Sequence, residues 1–190
     1  MTPERELIAR ILAGETALYR EFIERYQGLV SHIVFRMTLN TVEREDLCQE
    51  VFIKAYQNLS HFRQEAKIST WLAKIAYNTS LSHLAKKKVP LYDDLRPEGE
   101  GVDSLPGNAP SPEECASRKD TAAIVRGEIE QLPHHYRAIL TLYHLEGMNY
   151  REIGEIMELP EGTVKSYLFR ARKRLKEKLS LKYSKEEICG

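Results

Sequence analysis

The chain has 190 residues, 42% of them apolar, and 28 basic side chains that cancel 28 acidic ones. It is long enough for one ordinary domain or two small packed ones. It holds no apolar run near the roughly 18 residues a membrane span needs, and Cys48, Cys115 and Cys189 have no paired spacing. The spacing supports neither a disulfide framework nor a cysteine zinc site, and a reducing cytoplasm is expected.

The zero charge hides a division. Residues 1–89 carry 13 basic and 10 acidic side chains, residues 90–115 carry 1 and 7, and residues 116–190 carry 14 and 11. Two mildly basic bodies thus flank an acidic middle. The start, Met1-Thr-Pro-Glu-Arg-Glu, is a capped helix opening rather than a signal peptide. In Asp46–Leu59 the side chains of Leu47, Val51, Ala55 and Leu59, with Cys48 and Phe52, form a broad apolar stripe for a helical core. Asp46, Gln49, Glu50, Ile53 and Gln57 form a second stripe on the same helix. Acids, amides and one isoleucine on one face suit docking on a basic partner, and equally a solvated face.

A polar, loop-like stretch from Ser60 to Lys67 follows, then a helix capped by Ser69 or Thr70 that runs to Lys86-Lys-Lys88. Its core side is Trp71, Leu72, Ile75 and Thr79, and its other side presents Lys74, Tyr77, Asn78 and Leu81. The terminal lysines are favoured by the helix dipole alone. An aromatic and an amide beside lysines, with Phe62 and Arg63 in the adjoining loop, is the mixture that stacks on and hydrogen-bonds unpaired bases.

Residues 90–110 read as a flexible acidic linker, since the stretch from Pro90 to Cys115 holds five of the eight prolines and no apolar period. Ser111-Pro112-Glu113-Glu114 supplies an N-cap, a first-turn proline and first-turn acids, so a second body begins there. The six histidines are scattered, and the adjacent His134 and His135 would point about 100° apart on a helix, so no metal site is expected.

The C-terminal body carries the sharpest pattern. Asn149 and Glu152 form a capping pair, and Ile153, Ile156 and Met157 recur on one helical face. Pro160 cannot continue that helix, so a second restarts near Thr163. On this second helix Val164, Leu168, Ala171 and Leu175 make a core seam, while Lys165, Ser166, Phe169, Arg170 and Lys173 lie opposite. From Thr163 to Lys182 there are eight basic residues and one acid, Glu177. Two short helices with a tight turn, the second basic and bearing an exposed aromatic, read as a helix-turn-helix that would bind phosphate and release counterions. No strand-like alternation occurs, so the fold class expected is all-α: two small helical domains, residues 1–89 and 111–190, on an acidic linker.

Taken together these segments resemble the extracytoplasmic-function group of bacterial sigma factors. The run from Asp46 to Tyr56 is similar to the family's core-polymerase-binding motif, Phe62 through Asn78 to its promoter-melting segment, and Leu132-Pro133 through Arg174 to its promoter-reading domain. The resemblance implies a dissociable subunit that binds core RNA polymerase and promoter DNA, without cofactor or small-molecule substrate, and that is commonly held by an anti-sigma factor, often membrane-bound. It implies that Asp46, Gln49 and Glu50, with Ile53, meet the polymerase. Phe62, Arg63 and the loop to Lys67 would capture a flipped base of the minus-ten element, with Lys74, Tyr77 and Asn78 beside it. Lys165, Ser166, Phe169 and Arg170 would enter the major groove of the minus-thirty-five element, with Thr163 at the helix start and Arg172 and Lys173 flanking. Lys165 and Tyr167 stand where the family often has arginine, and lysine lacks arginine's bidentate fork to guanine.

A stand-alone helix-turn-helix regulator would also account for the C-terminus, but the strands of a usual sensing or receiver domain are absent from the pattern. An enzyme is the third class. The chain shows no nucleophile–base arrangement, phosphate-cradling glycine loop or metal-ligand cluster, so no catalysis is expected.

Overall fold

A computed structural model of the chain describes residues 3–62, 66–87 and 118–183, and every regular element among them is helical. The N-terminal domain is α1 (Pro3–Leu12), α2 (Tyr19–Met37), α3 (Thr41–Asn58) and α4 (Ile68–Lys87). At its centre α2 buries Phe22, Tyr26, Val30, Ile33, Val34 and Met37, a stripe at helical spacing. Asn40 starts α3 by accepting the Val42 N–H at 3.1 Å, and Leu47, Val51, Phe52 and Ala55 face inward as the sequence predicts. On α4 the small residues Ala73, Ala76 and Ser80 are fully buried, which lets α2 and α3 approach closely around Leu72. Two phenols tie the outer elements down: Tyr26 donates to the Glu4 carboxylate at 2.8 Å and Tyr19 to the Phe52 carbonyl at 2.6 Å.

The C-terminal domain is α5 (Arg118–Glu130), α6 (His134–Leu140), α7 (Tyr150–Met157) and α8 (Glu161–Lys182). α6 passes directly into a π turn, Thr141–Leu145, in which the Glu146 N–H reaches back five residues to the Thr141 carbonyl at 3.1 Å. Val164, Leu168 and Ala171 are buried and Leu175 is half-buried, so the core seam of α8 forms as expected.

Two helix starts differ from the sequence expectation. α4 begins at Ile68, not after a cap at Ser69 or Thr70, with the Trp71 N–H on the Lys67 carbonyl at 3.1 Å. Burying Ile68 in the core outweighs a hydroxyl cap. α8 begins at Glu161 rather than near Thr163, because Pro160 at φ −59° serves as a backbone N-cap and Glu161 complements the helix dipole. The acidic linker and the Ser111–Glu114 helix start lie outside the described residues, as do Arg63, Lys88, Cys115 and Cys189.

The domains meet along two seams, α6 on the C-terminal end of α2 and α7 on α4. At the first, the Arg137 guanidinium reaches from α6 to the α2 backbone, donating to the Arg36 and Met37 carbonyls. At the second, Lys67 and Lys74 of the N-terminal domain pair with Glu152 and Glu158 of the C-terminal one.

Candidate polymerase and nucleic-acid interfaces

The duplex-reading candidate is built from α7 upward. Both halves of the capping box form: the Asn149 side chain accepts the Glu152 N–H at 3.0 Å, and the Glu152 carboxylate accepts the Asn149 N–H at 2.9 Å. The helix stops at Glu158, which adopts left-handed geometry at φ 57°, and the Leu159 N–H returns to the Gly154 carbonyl at 3.0 Å. Gly154 is required by this close turn, since a Cβ there would sit 2.7 Å from the Leu159 carbonyl oxygen. With the turn fixed, α8 presents Lys165, Ser166, Phe169, Arg170 and Lys173 together on its exposed side. Phe169 is 69% exposed, an apolar ring among cations with no core role. Thr163 is half-buried at the edge of the row.

An aromatic brace beneath this row escaped the sequence reading. Tyr143 and Tyr150 stack at 5.4 Å between centroids, Lys165 lies 5.4 Å over Tyr150, and Arg172 lies 5.0 Å over Tyr143. Arg172 also donates through Nε to His144 Nε2 at 3.2 Å, and burial together with that guanidinium pulls His144 below its ordinary pKa. An uncharged His144 can accept this bond. Arg172 is therefore partly a structural residue, held by Tyr143 and by His144, which lies 28 positions before it in the chain, so that the brace does not show as one motif.

In the N-terminal domain, Asp46, Gln49, Glu50, Ile53 and Gln57 are all exposed along α3. Ile53 is 56% exposed, and Glu50 pairs with Lys54 at 2.7 Å. The stripe is thus one open face of acids and amides around an apolar centre.

The minus-ten candidates are arranged differently. Phe62 is half-buried with its ring 5.3 Å from that of Trp71. Lys67 Nζ lies 2.8 Å from Glu152 and Lys74 Nζ 2.9 Å from Glu158. Burial pushes the Glu152 carboxyl up, yet the Lys67 ammonium and the Asn149 N–H outweigh it and hold the carboxyl below its usual range. Asn78 is exposed. Tyr77 departs from the expectation of an open stacking ring. It is only 7% exposed, and burial, with Tyr167 of α8 nearby, raises its phenol above the usual range. No group of three metal-ligating side chains occurs among the described residues, and no described helix is long and apolar enough to cross a membrane.

Comparison with known proteins places both domains. Residues 22–89 match the family model for sigma-70 region 2 and residues 123–175 that for sigma-70 region 4. The chain is 35% identical over 181 residues to the RNA polymerase sigma-H factor of Pseudomonas aeruginosa, covering 93% of each. It is 31% identical to the ECF RNA polymerase sigma factor SigW of Bacillus subtilis, covering 92% of this chain and 96% of the relative. It is 35% identical to the ECF RNA polymerase sigma-E factor of Escherichia coli, covering 93% and 94%. The fold matches CnrH in its complex with the cytosolic domain of CnrY, with a TM-score of 0.66 at 17% identity over 94% of this chain and 97% of the other. It also matches the sigma factor RpoE of Bartonella quintana in complex with the anti-sigma factor NepR, with a TM-score of 0.60 at 22% identity over 86% and 99%.

Proposed function

The chain belongs to the extracytoplasmic-function group of bacterial sigma factors, and from that premise we propose how its surfaces divide the work of promoter-specific initiation. The N-terminal domain, residues 1–89, binds core RNA polymerase through Asp46, Gln49, Glu50 and Ile53. It reads and opens the minus-ten element through Phe62, Arg63, Lys67, Lys74, Tyr77 and Asn78. Residues 90–110 form the linker. The C-terminal domain, residues 111–190, lays α8 in the major groove of the minus-thirty-five element. There Lys165, Ser166, Phe169 and Arg170 meet base edges, Thr163 lies in the first turn of the helix, and Arg172 and Lys173 meet flanking phosphates.

The observation that carries this reading is the exposed row on α8, because a phenylalanine between cations stays 69% exposed among the described residues. Thymine methyls and phosphates satisfy both halves of that row. The protein works by binding, not catalysis, in the cytoplasm. Its control partner is an anti-sigma factor, by analogy with the Bartonella factor solved with NepR.

The test is promoter-specific transcription by purified core polymerase with and without this chain, with start sites mapped. Dependence on both core and chain is expected. Sequence-specific duplex binding with no effect on core polymerase would return the stand-alone regulator.

A further inference from the structure

Lys165 stands where the family often has arginine. Arginine's planar fork fixes its own direction, but a lysine ammonium is a point charge on a flexible stem, and in a major groove it can reach a base edge or swing to the nearest phosphate. A phosphate contact carries no sequence information. Reading a base with lysine therefore needs something that aims the side chain.

The structure supplies a ring for this. Lys165 Nζ lies 5.4 Å over the Tyr150 ring, Tyr150 stacks on Tyr143 at 5.4 Å between centroids and 14° between planes, and Arg172 lies 5.0 Å over Tyr143. Lys165 and Arg172 are seven residues apart, so they share one side of α8 about 20° apart and about 10 Å along its axis. Each meets one ring of the stacked pair. Neither ring is free to follow its cation. Tyr150 opens α7 directly after the Asn149–Glu152 capping box, and Tyr143 stands in the π turn. The Met148 N–H closes the loop between them on the Leu142 carbonyl at 3.0 Å, and Gly147 makes the turn at φ 63°. Both rings are half-buried against the core, whereas Lys165 and Arg172 are exposed. The platform is fixed and the cations are the movable parts.

Resting on the functional reading above for the place of Lys165 in the major groove, we propose that Tyr150 is a specificity-determining positioning residue whose ring holds the Lys165 ammonium at a base edge and keeps it off the phosphates. The donors turned away from the ring are left for base acceptors, such as O6 and N7 of a guanine. Tyr143 does the same for Arg172, which then meets a flanking phosphate from a fixed seat, so one stacked pair registers the reading cation against the positioning one. An exposed cation–ring contact of this kind biases the side chain about two- to fivefold. Removing the ring should leave binding nearly whole and cost discrimination by that factor, because a freed lysine still finds a phosphate.

Nuclear magnetic resonance of the full free chain reads the contact directly. The Lys165 ε-methylene signal, identified by its absence from Lys165→Ala, should lie upfield through the ring current of Tyr150, remain so in Tyr150→Phe, and return to the ordinary lysine position in Tyr150→Leu. Holoenzyme assembled from core polymerase and the full chain then transcribes a pool of templates in which each base pair of the upstream element of its mapped promoter is varied in turn. Lys165→Ala marks the base pair that Lys165 reads. At that pair Tyr150→Leu should relax the preference about two- to fivefold, Tyr150→Phe should keep it, and Tyr150→Leu should add nothing in the Lys165→Ala background. Helix content and the preference at other pairs should hold, which a merely structural role of Tyr150 would not allow. An unshifted Lys165 signal, a Tyr150→Leu preference equal to wild type at the marked pair, a loss spread evenly over all pairs, or additive losses in the double variant would overturn the proposal alone. If Lys165→Ala relaxes the preference at no base pair, the groove assignment of Lys165 falls and the proposal with it.

Discussion

Replacing two helical glycines by alanine separates backbone propensity from packing at the turn that aims α8. Gly28 lies exposed in the middle of α2 with nothing within 4 Å of an added Cβ, so Gly28→Ala gains helix propensity of about 0.5–1 kcal/mol. Gly154→Ala makes the same gain within α7, but its Cβ would lie 2.7 Å from the Leu159 carbonyl oxygen and 3.9 Å from Val164 Cγ2. The first is a backbone atom that cannot rotate away. Moving it stretches the bond from the Leu159 N–H to the Gly154 carbonyl, now 3.0 Å. Overpacking of about 1–3 kcal/mol and a hydrogen bond worth about 1 kcal/mol then oppose the propensity gain, leaving a net loss of about 1–3.5 kcal/mol. For a chain of this size that lowers Tm by about 2–14 °C, whereas Gly28→Ala raises it by about 1–4 °C. Thermal melts of the two variants followed by circular dichroism read the signs directly. Duplex affinity should fall for Gly154→Ala alone, since only its turn sets the pitch of α8. A Tm for Gly154→Ala at or above that of Gly28→Ala would refute the close approach and, with it, the account of how α8 is held.

Glu50→Lys should weaken core-polymerase binding in a fluorescence titration while leaving the helical signal unchanged, because Glu50 is exposed and its ion pair with Lys54 is of a kind worth little to stability; wild-type affinity would remove the α3 face from the interface. Asn78→Ala should reduce permanganate reactivity of the melted promoter, and a template already unpaired over the minus-ten element should restore only the melting part of the loss; an unchanged footprint would exclude Asn78 as a reader. Arg170→Ala should cost about 1–3 kcal/mol of duplex affinity and relax preference at one base pair. Arg172→Ala should instead weaken all sequences alike, flatten the salt slope by about one, and lower Tm through loss of its seat on Tyr143. Equal salt slopes for wild type and Arg172→Ala would assign that residue to the brace alone.

Much of the architecture was legible because its signals are local. The Asn149–Glu152 capping box, the Val164–Leu168–Ala171 seam and the two faces of α3 each lie within a few turns of one helix, and each is where spacing puts it. What escaped depends on residues far apart in the chain. Tyr77 stands among residues that suit a stacking ring, yet it is buried, with Tyr167, 90 positions further along the chain, beside it. Arg137 stands between Tyr136 and the apolar Ala138-Ile139-Leu140, an oddity in the sequence, yet its carbonyl partners lie up to 101 residues away. α2 was not singled out as the hub, although its buried stripe is regular, since no motif drew attention to it. The start of α4 was misplaced because hydroxyls at Ser69 and Thr70 advertise a cap that the burial of Ile68 overrides.

The π turn at Thr141–Leu145 sets the phase of everything that follows it. One residue advances a helix by about 100°, so the extra residue in that turn decides on which side Tyr143 and His144 emerge. Here they emerge against Tyr150 and Arg172. Loss of the codon for Thr141 or Leu142 would let α6 run on in ordinary geometry and carry both rings more than a quarter turn from the recognition helix, stripping Arg172 of its seat while leaving the exposed row on α8 untouched. A single-residue indel in this short stretch thus alters how the duplex-reading helix is braced while every groove-facing residue keeps its identity.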